Sequence, residues 1–227
     1  MLAYQVGSPA RAQIINGGFE TGNPAGWSFA GQATAKDASF GVSPTHGLYA
    51  GFLDNTGNGT VLAGQMETAL HLSTGTVTNI VLGVPTRGTV IFQDVAVSAG
   101  QQLVFDWNFM SDELNEDPVF NDYCFYSVVG NTSGVTNIFL LASRNSSTFP
   151  GTAPTGYDGL TGWSTTTYTF SANDTYRVGF GVMNVTDSGH DSAMMLDGVV
   201  VPEPATISLG LLAGVCCGVR MRLRRRA

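Results

Sequence analysis

The residues with the clearest chemical potential in this 227-residue chain lie in an acidic segment between two apolar runs. The segment spans residues 111–122 and contains Asp112, Glu113, Asn121 and Asp122. Carboxylates packed this closely repel one another unless a cation or water screens them, and oxygen ligands of this kind suit Ca²⁺. The sequence therefore predicts a calcium site here, although its spacing differs from the helix–loop–helix calcium motif. A solvated acidic loop is the alternative that these residues leave open.

The same segment gives little support to catalysis. Asp112 and Glu113 could act as acid and base on a sugar, but adjacent residues of a strand point to opposite faces. The three histidines are scattered, and the chain contains no H-x-x-x-H, C-x-x-C or G-x-S-x-G element. Cys124 alternates with aromatic residues and is predicted to lie in the core. We therefore expect a protein that is not an enzyme, with an uncharacterised polysaccharide hydrolase as an alternative.

Aromatic side chains form a second group of candidates. Flat sugar faces stack on Trp and Tyr rings, while amides and carboxylates bind the hydroxyls. The residues considered for this role are Trp27, Tyr49, Tyr157 and Trp163. Tyr157 belongs to a long polar loop, residues 143–162, and Trp163 follows that loop directly. Packing in the core is the alternative for each of them.

Strands must position these residues, because apolar and polar side chains alternate with a period of two along most of the chain. Between Gln101 and Met110, for example, the residues predicted to share one face are Leu103, Phe105, Trp107 and Phe109. Similar alternation predicts strands at 48–53, 89–97, 123–129, 136–142, 163–170, 175–183 and 193–201. No segment before residue 205 shows a convincing apolar stripe of helical period. About eight to eleven short strands predict an all-β, antiparallel two-sheet β-sandwich of the jelly-roll type.

Charge divides the chain into two unlike parts. Residues 1–201 contain five basic and sixteen acidic side chains, a net charge of −11, whereas residues 202–227 have a net charge of +4. An acidic body argues against a nucleic acid as partner, since phosphate binding needs a basic surface. The tail consists of Pro202, Glu203 and Pro204, then an apolar run, then Arg220, Arg222, Arg224, Arg225 and Arg226.

The apolar run of the tail has the length of a short membrane span. Residues 205–219 would form a helix of about 22 Å, and extension to residue 223 gives about 28 Å, against roughly 30 Å for the hydrocarbon core. The arginine cluster would then lie in the cytoplasm and the acidic body on the outer side. The sequence therefore predicts a single C-terminal transmembrane helix, with a buried C-terminal helix as the alternative.

The order of Pro-Glu-Pro motif, short apolar helix and arginine run resembles the PEP-CTERM sorting signal of Gram-negative bacteria. The resemblance implies recognition by an exosortase, removal of the tail, and transfer of the body to the cell surface or the exopolysaccharide matrix. It also implies export, and Ala10-Arg11-Ala12 before Gln13 has the form of a signal peptidase site. Residues 1–9 lack the rest of an export signal, so we expect translation to start further upstream. The expected domains are an export remnant at 1–12, an ectodomain at 13–201 and the sorting signal at 202–227.

Two segments of the body resemble carbohydrate-binding modules with a galactose-binding-like jelly roll. These are Asn16-Gly-Gly-Phe-Glu20, followed by Trp27-Ser28, and the closing run Met195-Leu-Asp197-Gly-Val-Val. The resemblance implies that Glu20 and Asp197 help to bind one structural Ca²⁺. The alternative is that Glu20 caps a turn and Asp197 is solvated on an edge strand. The acidic segment also resembles a strand–acidic loop–strand block of PEP-CTERM and related surface proteins.

These observations lead to one expected function and one further alternative. We expect an exported, surface-sorted and non-catalytic module that associates with carbohydrate or exopolysaccharide and contains one or two Ca²⁺ ions. Its precursor would be anchored in the membrane with a cytoplasmic C-terminus. Its expected partners are signal peptidase, exosortase and extracellular polysaccharide. The alternative is a structural matrix or biofilm protein that binds no specific sugar.

Overall fold

The computed structural model describes residues 13–57, 59–187 and 189–202. The strands are β1 Ser28–Ala30, β2 Gln32–Lys36, β3 Ala50–Asp54, β4 Pro85–Val97, β5 Gln102–Ser111, β6 Tyr123–Gly130, β7 Thr136–Ser143, β8 Gly159–Leu160, β9 Ser164–Thr169, β10 Asp174–Val185 and β11 Ser192–Val200. One α-helix, α1, spans Ala63–Leu70, and a 3-10 turn spans Ala38–Phe40.

The strands form two antiparallel sheets. Sheet I has the order β1-β4-β10-β6-β7. Sheet II has the order β2-β3-β11-β5-β8, and β9 also pairs with β5. Every strand pair among the described residues is antiparallel. The structure thus confirms the predicted all-β, two-sheet antiparallel sandwich.

The predicted strands are all present, with ends that differ by a few residues. In β5 the four apolar residues expected on one face, from Leu103 to Phe109, are all buried in the core between the sheets. The next residue, Met110, belongs to a separate apolar cluster. Cys124 lies in the central core, as predicted. Alternation along the strands therefore decides which side chains face the interior.

Apolar side chains form three layers rather than one. The central layer joins both sheets and includes Phe105 of β5, Phe180 of β10 and Leu196 of β11. A second layer covers the outer face of sheet I beneath α1, where Met66 and Leu70 are fully buried. The third layer lies on the outer face of sheet II and includes Phe52, Met110 and Met195, covered by loop residues Phe40, Tyr157 and Trp163.

The expectation of no helix before residue 205 was wrong, because α1 lies at 63–70. The helix has eight residues, and its buried side chains are Met66, Glu67 and Leu70. Two turns are too short for a helical period to stand out from the sequence. Strands β1, β2 and β8 were also not predicted, since β1 and β8 have three and two residues and β2 contains no large apolar side chain.

The two sides of the sandwich are closed differently. On one side β1 of sheet I continues into β2 of sheet II through the single residue Gly31. On the other side, edge strands β7 and β9 meet through aromatic rings: Tyr126 stacks on Phe139 and contacts Tyr168 edge-on. The Asn137 side chain also donates a hydrogen bond to the Tyr168 hydroxyl, at 3.1 Å.

The predicted export remnant and the predicted tail lie largely outside the described residues. Pro202 is described and exposed, whereas residues 203–227 and 1–12 are not described. Among the described residues, no helix has the length and apolar character that a membrane crossing requires.

Candidate functional site

The acidic segment starts at the end of β5, where alternation sends Asp112 and Glu113 to opposite sides. Asp112 is half-buried near the surface, and its Oδ1 accepts a hydrogen bond from the backbone N–H of Asp191 at 2.7 Å. His190 lies beside it, with Nδ1 at 3.3 Å from the same oxygen and Nε2 at 3.7 Å from Glu116 Oε1. Burial raises the pKa of Asp112.

Glu113 and Asp122 form a buried acid pair on the other side. Both side chains are fully buried, and the backbone N–H of Asp122 donates to Glu113 Oε2 at 3.4 Å. Asp122 also accepts hydrogen bonds from the Val185 backbone N–H at 2.8 Å and from Asn55 Nδ2 at 2.7 Å. Burial, and for Glu113 also the charge of Asp122, raises the pKa of both carboxyls. The pair therefore resists ionisation without a compensating charge.

The four residues predicted as one calcium site do not converge on one point. Asn121 faces the following loop, where its Oδ1 accepts a hydrogen bond from the Asn145 backbone N–H at 3.0 Å. Asp112 lies with His190, and only Glu113 and Asp122 meet. Within residues 13–57, 59–187 and 189–202, no three or more His, Cys, Asp or Glu side chains are grouped so that they could hold a metal. Strand alternation separates the set, because these residues occupy both sides of the chain.

Arg144 fixes the turn that follows β5. Its Nε donates to the carbonyl of Glu113 at 3.0 Å, and one terminal nitrogen donates to the carbonyls of Leu114 and Glu116. The other terminal nitrogen donates to Asn145 Oδ1 at 2.7 Å. A guanidinium has five N–H donors in a rigid fork, so one side chain can hold several carbonyls at once.

An acidic groove of about 350 Å³ lies on the Asp112 side of this turn. Its lining residues are Asp112, Asn115, Glu116, Gly156, Tyr157, Asp158 and His190. Asn115 Nδ2 donates to Asp158 Oδ2 at 2.9 Å, which joins the two loops across the groove. Burial raises the pKa of the Tyr157 hydroxyl, so the phenol remains a hydrogen-bond donor at neutral pH.

The aromatic candidates fall into different environments. Tyr157 lines the acidic groove, and Trp163 packs half-buried against the same outer layer of sheet II while its indole N–H donates to the Ser43 carbonyl at 2.9 Å. Trp27 was predicted as an exposed candidate for stacking against a sugar, and the structure corrects this prediction. It is 7% exposed, stacks on Phe19, and donates its indole N–H to the Asn16 carbonyl at 3.1 Å. It therefore offers no ring face to a ligand.

Glu20 and Asp197 both lie beside Gly18. A Cβ placed on Gly18 would lie 3.6 Å from Asp197 Oδ1 and 3.9 Å from Glu20 Oε1. Glu20 is exposed and accepts hydrogen bonds from the backbone N–H groups of Leu48 and Tyr49. Tyr49 itself is half-buried against the core.

Asp197 is fully buried, so the alternative of a solvated edge residue does not hold. Its Oδ2 accepts from the backbone N–H groups of Thr45 and His46 and from the Thr45 hydroxyl, while Oδ1 accepts only from Gly198 N–H at 2.7 Å. Burial raises its pKa. Because Asp197 Oδ1 and Glu20 Oε2 each accept one hydrogen bond, the pair retains lone pairs that fit a hard cation.

A second surface feature is an apolar groove of about 500 Å³ beside edge strand β7. Leu82, Val119 and Leu140 line it, and Leu82 is 93% exposed. Phe139, the neighbouring residue of β7, is also partly exposed but stacks on Tyr126 and does not line the groove. Exposed apolar side chains grouped around a groove are a feature of interaction surfaces.

Asn55 was not found from the sequence, and the positions of Arg144 and His190 beside the turn after β5 were not predicted. Asn55 follows a buried strand, Arg144 follows the β7 apolar run, and His190 lies in the β10–β11 loop. Each is a polar residue next to an apolar strand, which is a sequence signal for a functional or structural contact. The groups that these side chains bind, however, are brought to them by the order of the strands in the sheets.

Comparison with known proteins gives structural likeness only. No protein-family model and no curated protein matches the chain. The chain is similar to the carbohydrate-binding module TmCBM61, solved with β-1,4-galactotriose, at a TM-score of 0.48 and 16% identity over 86% of this chain and 100% of that one. It is also similar to the K1 cleaved adhesin domain of Lys-gingipain from Porphyromonas gingivalis, at a TM-score of 0.46 and 19% identity over 83% of this chain and 96% of that one. A family 16 carbohydrate-binding module is similar at a TM-score of 0.38 and 13% identity over 84% of this chain and 99% of that one. These likenesses transfer no residue role or ligand to this chain.

Proposed function

We propose that this chain is an exported β-sandwich that binds polysaccharide in its acidic groove without cleaving it. The observation that carries the proposal is the lining of the groove, which contains Tyr157, three carboxylates, an amide and an imidazole. Sugar hydroxyls both donate and accept hydrogen bonds, so carboxylates and amides suit them, and an aromatic ring packs against the apolar sugar face.

The charge of the groove defines the class of sugar. Asp112, Glu116 and Asp158 line it, and His190 is the one basic side chain among its lining residues. A glycan that carries uronate or sulfate groups would be repelled there, since like charges at close range disfavour binding. The ligand class is therefore a neutral polysaccharide.

The separation of Asp112 from Glu113 supports binding without cleavage. Glu113 is buried behind the turn and does not line the groove, so Asp112 and Glu113 have no common cleft. Asp112 is engaged by the Asp191 N–H and lies against His190. This arrangement fits a side chain that holds a hydroxyl in place.

A glycan array on the full chain, with calcium present, tests the proposal. We expect binding to neutral glycans, and about tenfold weaker binding by E116Q and Y157A, because each removes a groove contact. D117N is the matched control: Asp117 is in the same turn, does not line the groove, and as Asn can still accept the Val119 N–H. Uniform silence of the wild type would refute the proposal, and hydrolysis of a labelled glycan that D112N abolishes would replace it with the hydrolase alternative.

The apolar groove favours a second candidate function, a structural matrix protein whose copies associate. Leu82, Val119 and Leu140 are exposed beside the free edge of β7, where another chain could bury them. Analytical ultracentrifugation would then show self-association that L140K abolishes. A monomer at all concentrations would exclude this candidate while leaving sugar binding intact.

We also propose that residues 202–227 act as a sorting signal of the PEP-CTERM kind. The support is the order of the Pro-Glu-Pro motif, the apolar run and the arginines in the sequence. On this proposal signal peptidase and exosortase process a membrane-anchored precursor, and the mature body reaches the cell surface or matrix. Mass spectrometry of surface material should find no peptide beyond about residue 204, and intact terminal arginines would contradict the proposal.

A structural Ca²⁺ at Glu20 and Asp197 completes the proposed function. The spare lone pairs of these carboxylates support it, and the ion would join the segment after residue 16 to β11. Such an ion stabilises the fold by mass action, since it binds only the native state. EDTA should therefore lower the melting temperature of the wild type and have a smaller effect on E20Q.

A further inference from the structure

The buried acid pair of Glu113 and Asp122 contains an unsatisfied group. Glu113 is 0% exposed, and its Oε1 has no hydrogen-bond partner among the described residues. A buried polar atom of this kind costs stability unless something binds it, and native proteins contain few of them. Since no described residue satisfies this oxygen, it points to a bound ligand.

Among the described residues, no cationic side chain compensates the pair. Arg144 binds the same turn, but its guanidinium donates to main-chain carbonyls and to Asn145. The groups that contact Asp122 are neutral N–H donors of Asn55 and Val185. The nearby carboxylate of Asp187 adds further negative charge and raises the pKa of both acids.

The remaining oxygens around the pair are hard donors. Each Asp122 oxygen accepts one hydrogen bond, so each keeps a lone pair. Asn55 Oδ1 accepts the Ser192 N–H at 2.7 Å and also keeps one. Two carboxylates and an amide oxygen match the ligands of Ca²⁺, and two ionised carboxylates balance its charge. Mg²⁺ demands a stricter octahedral arrangement and retains its water more strongly.

We propose that Glu113, Asp122 and Asn55 bind one Ca²⁺ ion, separate from the ion proposed at Glu20 and Asp197. The ion would join the chain after β3, the turn after β5 and the start of β6. These three segments lie 67 or fewer residues apart in sequence and meet at one end of the sandwich. The site stands independently of the proposed sugar binding.

Calcium titration of the full chain after EDTA treatment tests this site, with CaCl₂ as the probe and MgCl₂ as the comparison. We expect E113Q to weaken the affinity of this site about tenfold or more, because it removes one charged ligand. E116Q is the matched control, since it makes the same change at a half-exposed side chain of the same turn and should bind as the wild type does. In EDTA, E113Q should be at least as stable as the wild type, which separates loss of the ion from loss of the fold.

The E20Q variant keeps the two calcium sites distinguishable. E20Q should retain one calcium ion per chain, and in the double variant E20Q/E113Q that remaining site should bind about tenfold more weakly or not at all. The proposal is overturned if E20Q alone abolishes all calcium binding, or if wild type and E113Q show the same calcium affinities and the same rise in melting temperature. A calcium-insensitive pair that shares a proton would give that second result.

Discussion

Two glycine-to-alanine substitutions should change stability in opposite directions. A Cβ added at Gly17 would lie 1.9 Å from the Val199 carbonyl oxygen, in the backbone of β11. Ordinary contacts begin near 3.4 Å, so one of the two main chains would have to move by about 1.5 Å. The obstacle is the backbone of Val199, which cannot turn aside as the end of a flexible side chain could. At Gly64, the second residue of α1, an added Cβ would meet nothing within 4 Å.

The magnitudes follow from these environments. Overpacking costs about 1–3 kcal/mol, and the rigid strand backbone places G17A near 3 kcal/mol, a fall in melting temperature of roughly 6–12 °C for a domain of this size. G64A should gain about 0.5 kcal/mol, because alanine limits the unfolded chain and favours the helix. Urea denaturation of both variants measures the two free energies of unfolding. If G17A unfolds within about 0.5 kcal/mol of the wild type, the close approach of residue 17 to β11 is refuted.

Three further substitutions test other contacts. R144A should lower the free energy of unfolding by about 2 kcal/mol in urea denaturation, and R144K by about half as much, because lysine keeps the charge but cannot reach several carbonyls; an R144K variant as stable as the wild type would show that only charge matters. D94N removes a half-exposed ion pair with Arg177, which lowers the pKa of Asp94. The substitution should cost under about 1 kcal/mol at pH 6, where the Asp94 carboxylate is ionised. The difference should shrink as the pH falls through the lowered pKa of Asp94 and vanish once that carboxyl is protonated; a deficit that persists in acid contradicts this. W27F should cost about 1–2 kcal/mol through the lost indole hydrogen bond yet leave the glycan array unchanged, and a changed glycan profile would return Trp27 to the binding site.

The sequence was sufficient to predict the long strands, because their apolar and polar residues alternate in the same way as their buried and exposed side chains. In β5, Phe105 and Phe109 face the core and Met110 faces outward, as a period of two requires. The helix α1 could not be found this way. Its buried residues include the charged Glu67, whose carboxylate accepts the backbone N–H groups of Gly75 and Val77. That contact is set by the loop after the helix and leaves no periodic signal.

The candidate site was predictable only in part, for a related reason. The opposite directions of Asp112 and Glu113 follow from strand geometry alone. The contact between Asn55 and Asp122, however, spans 67 residues and depends on how the end of β3 in sheet II meets the start of β6 in sheet I. Trp27 was misjudged because nothing local distinguishes an exposed indole from one whose N–H finds a carbonyl eleven residues away.

The single-residue passage from β1 to β2 gives the sandwich a preferred direction of opening. At Gly31 the chain passes directly from one sheet to the other, and a Cβ added there would collide with Thr89. Opposite this hinge, side chains such as Phe139 and Tyr168 make the contacts between β7 and β9. Fluctuations that part the sheets should therefore rotate about the Gly31 side, and the interior ring of Tyr126 should meet solvent from the β7–β9 side first.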